Sequence, residues 1–437
     1  MQQSGDDRVG STRPQVSTES IASLGGLGTF ALFSRIVFMH TSLLVLLNRR
    51  RPRVASCLAG VLFFSGLIFA QGVANPEVAE PVDRLVDAYV KGEMSKRKIP
   101  GLAFAVLRHG KVIRQDALGL ASIESNVPVR LDTSFPLASV TKEFTASAIL
   151  SLVEKGQLSL DQPIRSILRE VPETWSSVTV RHCLTHTSGL PDATTDDVNF
   201  SLLSDSRDGL LEKVFRLPSN PPGQKAAYNQ TAYLLLDMIL QRVTGRSVET
   251  YVRQEFFDRI GMTGATYGDA WEIVKGRSEL YTVVNPAPDR TKLWLRDGRP
   301  VTSPDRIYRY GMKIIPSWMF STSGSNASVV DLVKWDAAFW AGKVLKRATV
   351  DEMATPFKLD SGKAGAWGLG LLATDMGEYR TVASGGGAAV WLFRVPTERL
   401  TVIVLTNLQG SSPQTLAAGI AALYLPRLKT SPAGNPK

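Results

Sequence analysis

Apolar residues at Val82, Leu85, Val86, Tyr89 and Val90 fall three and four apart, and this spacing predicts an amphipathic helix over 81–96. The unbroken apolar run 101–108 fits a buried strand, His109-Gly110 a turn, and 111–118 a returning strand. Helices are predicted over 139–155, ended by Gly156, and over 178–185, ahead of a Gly-Leu-Pro break. Residues 190–224, rich in Asp, Ser and Pro, read as a long surface loop. Helices follow at 231–243 and 248–260, parted by Thr244-Gly245-Arg246, and another at 327–340. Residues 270–320 mix short β-prone pieces with aromatics and arginines. Alternating runs at 367–374, 380–384, 388–395 and 400–405 predict successive antiparallel strands, and 413–424 a closing apolar helix. No internal repeat is visible. Strands near both ends with helices between them point to one split α/β unit, whose antiparallel sheet draws on both ends and whose middle is a helical insertion. The groove between the halves is the default place for a ligand.

Composition narrows the class. The chain has 437 residues, 44% apolar and 21% charged, which is ordinary for a globular protein and leaves room for two or three domains. Two cysteines, Cys57 and Cys183, exclude a disulfide scaffold. Four histidines leave little material for a zinc site. The net charge of +10 is spread out, apart from Arg49-Arg50-Arg51-Pro52-Arg53, so a nucleic-acid partner is not expected.

That arginine cluster belongs to a leader. Residues 1–74 hold seven arginines, no lysine and three acids, and no charge occurs from Val54 to Pro76. Arginines, the apolar stretch 57–70 and then the small Gly72 and Ala74 follow the order of a secretory signal, with cleavage near Ala74–Asn75. The rival is an uncleaved anchor over 54–74, just long enough to span a bilayer at about 20 residues. Met39 is an alternative start that would bring the arginines near the N-terminus, and Val54-Ala55-Ser56-Cys57 is rejected as a lipoprotein box because charges precede it. Residues 1–74 are therefore read as an extension and 75–437 as an exported domain, periplasmic or extracellular. Its α/β part takes about 75–150 and 320–437, and its helical part about 151–319. Membrane contact is expected only through the anchor. Once the leader is removed only Cys183 remains, which suits export without a bridge.

For chemistry, no Gly-x-Ser-x-Gly elbow, His-Glu-x-x-His pair or phosphate-cradling glycine loop occurs. Ser139-Val140-Thr141-Lys142 remains. At a helix start, residues i and i+3 share a face, which sets an amine beside a hydroxyl. A helix N-terminus also offers free N–H groups to a developing oxyanion. Spacing alone favours an N-cap and an exposed lysine, and the second instance, Ser95-Lys96-Arg97-Lys98, reads as a solvated helix end.

Longer segments separate these readings. The run Leu137-Ala138-Ser139-Val140-Thr141-Lys142-Glu143-Phe144-Thr145-Ala146 resembles the nucleophile segment of the serine beta-lactamase and penicillin-binding protein superfamily, nearest its class C-related branch of esterases and D-amino-acid peptidases. Arg181-His182-Cys183-Leu184-Thr185-His186-Thr187-Ser188-Gly189-Leu190-Pro191 matches a signature of that branch. The segment Pro222 to Tyr233 resembles its second catalytic segment, and Phe320-Ser321-Thr322 through Trp335, then Trp367-Gly368-Leu369-Gly370, fit later blocks in order. The resemblance runs from about 80 to 425. It implies an α/β (α+β) fold of the beta-lactamase/transpeptidase type, an antiparallel sheet flanked by N- and C-terminal helices with an inserted, mostly helical subdomain.

The resemblance makes Ser139 the nucleophile, Lys142 its partner base and Tyr228 the proton shuttle to the leaving group. Tyr233 falls on the apolar side of its helix and is expected in the core. His182 and His186, four apart, belong to a structural turn in this family, so no metal site is expected, and no cofactor. Cys183 is read as a buried small residue. Two positions depart from the pattern. The second motif ends in Gln230 where asparagine is usual, an amide one methylene further out. The third motif reads Ser384-Gly385-Gly386 where lysine or histidine is usual first, and the strand after it is shorter by about three residues. Gln230, Ser384, Gly386 and Gly387 are therefore the expected substrate-binding positions, with Gly387 giving the second oxyanion N–H. Both departures argue against an efficient beta-lactamase. The leading expectation is a serine hydrolase that cleaves an ester, amide or lactam, with a small-molecule or peptide substrate and an open oligomeric state. The alternatives are a catalytically degenerate binder in the cell envelope and a purely structural envelope protein, which would leave the Ser-Lys-Tyr set without a use.

Overall fold

Ala103, Ala105 and Leu107 pack into one hydrophobic core, and the alternate residues Leu102, Phe104 and Val106 into a second. A strand with period-2 side chains buries both faces only as the inside of a sheet covered on both sides. A computed structural model describes residues 81–428, except 195–205, 284–294, 297–298, 301–305, 311–314 and 388. The leader and anchor readings of residues 1–74 lie outside the described residues, as do parts of 190–224 and 270–320. No helix among the described residues is long and apolar enough to cross a membrane.

The elements that position the site run as follows. Helix α1 (Pro81–Arg97) leads into strands β1 (Gly101–Arg108), β2 (Lys111–Ser122) and β3 (Val127–Pro128). Helices α2 (Thr141–Glu154), α3 (Val180–Leu184), α4 (Arg207–Phe215), α5 (Gln230–Thr244), α6 (Phe320–Ser323) and α7 (Val329–Trp340) come next. Strands β4 (Leu372–Met376), β5 (Tyr379–Gly386), β6 (Val390–Val395) and β7 (Leu400–Thr406) and helix α8 (Pro413–Tyr424) complete the set. The sheet has seven strands in the order β4-β5-β6-β7-β1-β2-β3. β1 therefore lies next to β7, antiparallel, from Leu102 opposite Thr406 to Arg108 opposite Leu400. The sheet is drawn from both ends of the described chain, with the helices between as an insertion.

One face of the sheet carries α1 and α8 through Val86, Val90, Leu416 and Ile420. Tyr89 Oη donates to the Thr415 carbonyl at 3.2 Å, and a Cβ on Gly419 would lie 1.9 Å from that hydroxyl, so the two helices touch where glycine permits it. Leu85, expected on the packed face of α1, is 55% exposed instead. The other face carries α2, whose residues Thr141 to Leu152 are all buried.

Several predicted elements shift. The stretch 190–224 contains α4, whose N-cap Ser206 accepts from the Gly209 N–H and which buries Leu210, Leu211 and Val214. Its polar flanks hid that short apolar face. The helix expected over 248–260 is broken by a π-helical turn at Arg253–Phe257. The strand expected over 367–374 begins at Leu372, with Trp367 joined to it by an isolated bridge to Leu372. A helix at Arg347–Met353 was not anticipated. Ser95 to Arg97 end α1, with Lys96 exposed, as expected for a solvated helix end.

Candidate active site

Ser139 sits in a 3-10 turn, Ala138–Val140, immediately ahead of α2. Ala138 holds φ at 44°, a left-handed conformation that side chains rarely adopt. The turn is pinned on several sides. The Leu137 N–H donates to the Ser325 carbonyl at 2.9 Å, and Thr141 Oγ1 donates to the Ala138 carbonyl at 2.6 Å. Thr141 Oγ1 also shares a 2.6 Å hydrogen bond with Ser325 Oγ. Strained backbone of this kind persists only where its surroundings overdetermine it, and it clusters at functional sites.

Three side chains meet there. Tyr228 Oη donates to Ser139 Oγ at 2.8 Å. Lys142 Nζ lies 3.4 Å from the same oxygen and donates to the Thr322 carbonyl at 2.8 Å. Lys142 is 3% exposed. Its ammonium stands 5.0 Å from the centre of the Tyr228 ring and 5.5 Å from that of Tyr233, both within cation–π range. Tyr233 is fully buried, as expected, and donates to the Leu184 carbonyl at 3.3 Å.

His186 braces Tyr228. Its ring centre is 4.6 Å from those of Tyr228 and Trp367 and 5.1 Å from that of Tyr233. Nδ1 accepts the Asn229 N–H at 3.1 Å, which leaves the imidazole proton on Nε2. Burial, aided by the Lys142 charge, holds the His186 pKa well below its ordinary value, so the ring is neutral. His182 is occupied elsewhere: its Nδ1 accepts the Thr179 N–H at 3.2 Å in the capping box of α3. Burial pushes the Cys183 thiol up to about 12, which leaves it an inert packing group.

The expected substrate positions divide. Gln230 opens α5, where its N–H donates to Asp192 Oδ2 at 2.8 Å, and its Oε1 is buried without a partner among the described residues. Gly386 is pressed on the nucleophile turn: a Cβ there would lie 1.9 Å from the Leu137 carbonyl oxygen and 3.1 Å from Ser139 N. Gly387, at φ 55°, lies over Ala138. The ends of β5 and α2 thus face each other across Ser139. Ser384 departs from the expectation of a groove-lining hydroxyl. It is 7% exposed, and its Oγ donates to the Glu143 carboxylate beneath the site. The cause is alternation: Ser384 and Gly386 share the inward face of β5.

Glu143 and its partners escaped the sequence reading, as did the Thr322 carbonyl and the His186–Trp367 brace. Glu143, Thr322, His186 and Trp367 all fall inside matched segments and are within reach. Arg394 carried no such signal. A separate cleft, lined by His109, Trp340, Arg347 and Arg399 with Asp336 and Arg394, takes no residue from the Ser139 cluster. Converging chemistry, not concavity, locates the candidate active site.

Comparison with known proteins identifies the family. Residues 82–425 match the family model described as Beta-lactamase. Penicillin-binding protein 4* of Bacillus subtilis (strain 168) is 24% identical over 317 residues, 68% of this chain and 66% of that protein. Esterase EstB of Burkholderia gladioli is 29% identical over 318 residues, 66% of this chain and 78% of the esterase. The chain thus spans just under two thirds of the Bacillus protein's length. The solved octameric penicillin-binding protein homologue from Pyrococcus abyssi superposes with a TM-score of 0.63 at 24% identity, covering 79% of this chain and 78% of that one.

Proposed function

The chain belongs to the beta-lactamase family, and from that premise we propose that it is a serine hydrolase that opens an ester, amide or lactam bond through an acyl-Ser139 intermediate. The observation that carries this reading is the convergence of Lys142 Nζ and Tyr228 Oη on one oxygen, Ser139 Oγ. Both groups bring protons to that oxygen at rest. Attack therefore needs Lys142 in its amine form, so that it takes the hydroxyl proton as Oγ bonds to the substrate carbonyl carbon. The carbonyl π electrons move onto oxygen, and the Ser139 and Gly387 N–H groups receive that oxyanion. On collapse Tyr228 passes a proton to the departing alcohol or amine and regains one from Lys142. Water then attacks the acyl carbon by the same proton path in reverse, which frees the acid and restores Ser139.

The substrate in this reading bears no carboxylate near position 384. The Ser384 hydroxyl is spent on Glu143, and the guanidinium that shares this carboxylate, Arg394, is fully buried between Glu143 and Asp336. A charge-assisted bond is roughly twice as strong as a neutral one, so a groove lacking that cation favours uncharged esters or amides. Export, read from the arginine cluster and the apolar 57–70 stretch, is part of the same proposal. The test is covalent labelling. A fluorophosphonate probe, with a penicillin-type probe beside it, should add its mass to the peptide carrying Ser139. A folded protein that neither probe labels would be a binder, and the reading would fall.

A further inference from the structure

Glu143 follows Lys142 directly, yet it faces away from the groove, with its side chain fully buried. Its carboxylate accepts from four donors. Arg394 Nη2 and Trp335 Nε1 reach Oε1 at 2.9 and 2.7 Å. Arg394 Nη1 reaches Oε2 at 3.1 Å, and Ser384 Oγ donates to that same oxygen. Arg394 Nε in turn donates to Asp336 Oδ1 at 2.7 Å. One residue thus links α2 to α7, β5 and β6. Burial works against the Arg394 charge, but the two carboxylates outweigh it and raise its pKa, so the guanidinium stays charged.

The Ser384 bond is the one that bears on catalysis. On β5, Ser384 lies two residues before Gly386, so both face α2. Ser384 is tied to the first turn of α2, and Gly386 rests on the Leu137 carbonyl at the nucleophile turn. Gly387 comes next. The distance between the Ser139 N–H and the Gly387 N–H is therefore set by how β5 is moored to α2. We propose that Glu143 and Ser384 are a positioning pair that fixes the width of the oxyanion pocket, neither one touching substrate. This rests on Ser139 as the nucleophile. It also gives the serine a use: its hydroxyl donates to the Glu143 carboxylate beside Arg394 and Trp335.

The test is Ser384→Ala beside Ser384→Thr, assayed on an uncharged aryl ester. In S384A the Glu143 carboxylate keeps Arg394 and Trp335, so its charge stays paired and the fold should hold, checked by the thermal midpoint. Loss of oxyanion alignment acts in the transition state, so kcat should drop about tenfold or more while KM changes less than about twofold. S384T keeps the hydroxyl and should recover most of that loss. Glu143→Gln, which weakens the acceptor, should add little to S384A in the double variant. Wild-type kcat in folded S384A would overturn the proposal, as would a rise in KM alone, which would make Ser384 a substrate contact. Fluorophosphonate labelling of the wild type is read in parallel. Its failure would remove Ser139 as nucleophile, whereas intact labelling with unchanged S384A kinetics would remove only the positioning pair.

Discussion

Tyr228 Oη donates to Ser139 Oγ at 2.8 Å across 89 residues of chain. Lys142 reaches the same oxygen at 3.4 Å from the next turn of helix and contacts the tyrosine ring face. In the proposed mechanism these two groups on one oxygen form one proton path, whose members should not act independently. Lys142→Ala and Tyr228→Phe should each cost at least about 100-fold in kcat on an aryl ester, the usual scale for a lost acid–base group. The double variant should lose little more than the worse single one. A double loss equal to the product of the two would contradict a shared path.

Ser139→Ala should abolish aryl-ester hydrolysis and probe labelling while leaving the thermal midpoint near wild type. Ser139 is only partly buried, and its hydroxyl meets the polar ends of Tyr228 and Lys142, so little packing is lost. Activity equal to wild type would remove the nucleophile assignment.

Substrate charge can be read without a mutation. With Ser384 turned to Glu143, no side-chain cation comes from that position to meet a carboxylate. The ratio of kcat/KM for an uncharged aryl ester to that for a cephalosporin should exceed about tenfold, on the scale of a lost charge-assisted hydrogen bond. A wild-type preference for the cephalosporin would refute this account of the groove.

Stability should depend on pH through two buried groups of opposite sign. Burial, with Glu249 nearby, raises Asp237 from 3.8 to about 7. Between those values the folded protein holds a proton that the unfolded chain has released, so stability falls as pH rises from about 4 to 7. At roughly 1.4 kcal/mol per pH unit the loss amounts to at most about 4 kcal/mol. His186 is lowered from 6.5 by burial and by Lys142, so the unfolded chain binds the extra proton there and stability falls as pH drops below about 6.5. Asp237→Asn should therefore stabilise the protein above pH 7 and uncover a slope toward acid instability below 6.5. Denaturant midpoints from pH 5 to 8 check this, and parallel pH curves for variant and wild type would count against it.

Local chemistry determined what could be read from the chain. Strand β1 is visible because its apolar run is short, unbroken and closed by His109-Gly110. Helix α8 is visible because its apolar periodicity is helical and opens on proline. Ser139 and Lys142 share a helix face by spacing alone, and Tyr228 needed only a matching segment. Helix α4 was missed because its three buried leucine and valine positions are a weak signal among polar neighbours.

Tertiary structure alone decided the direction of Ser384. Sequence placed it at the head of the third motif and left its hydroxyl free to face the groove. The choice belongs to Glu143, 241 residues away, and to Arg394, whose side of β6 follows from pairing with Val382 of β5. A buried carboxylate must be neutralised and its lone pairs filled, and the partners that do so come from two strands and a helix far apart in sequence. Periodicity reports which face of one element is apolar. It carries no information on which elements meet, and so the charge beneath the nucleophile was invisible until the chain was folded.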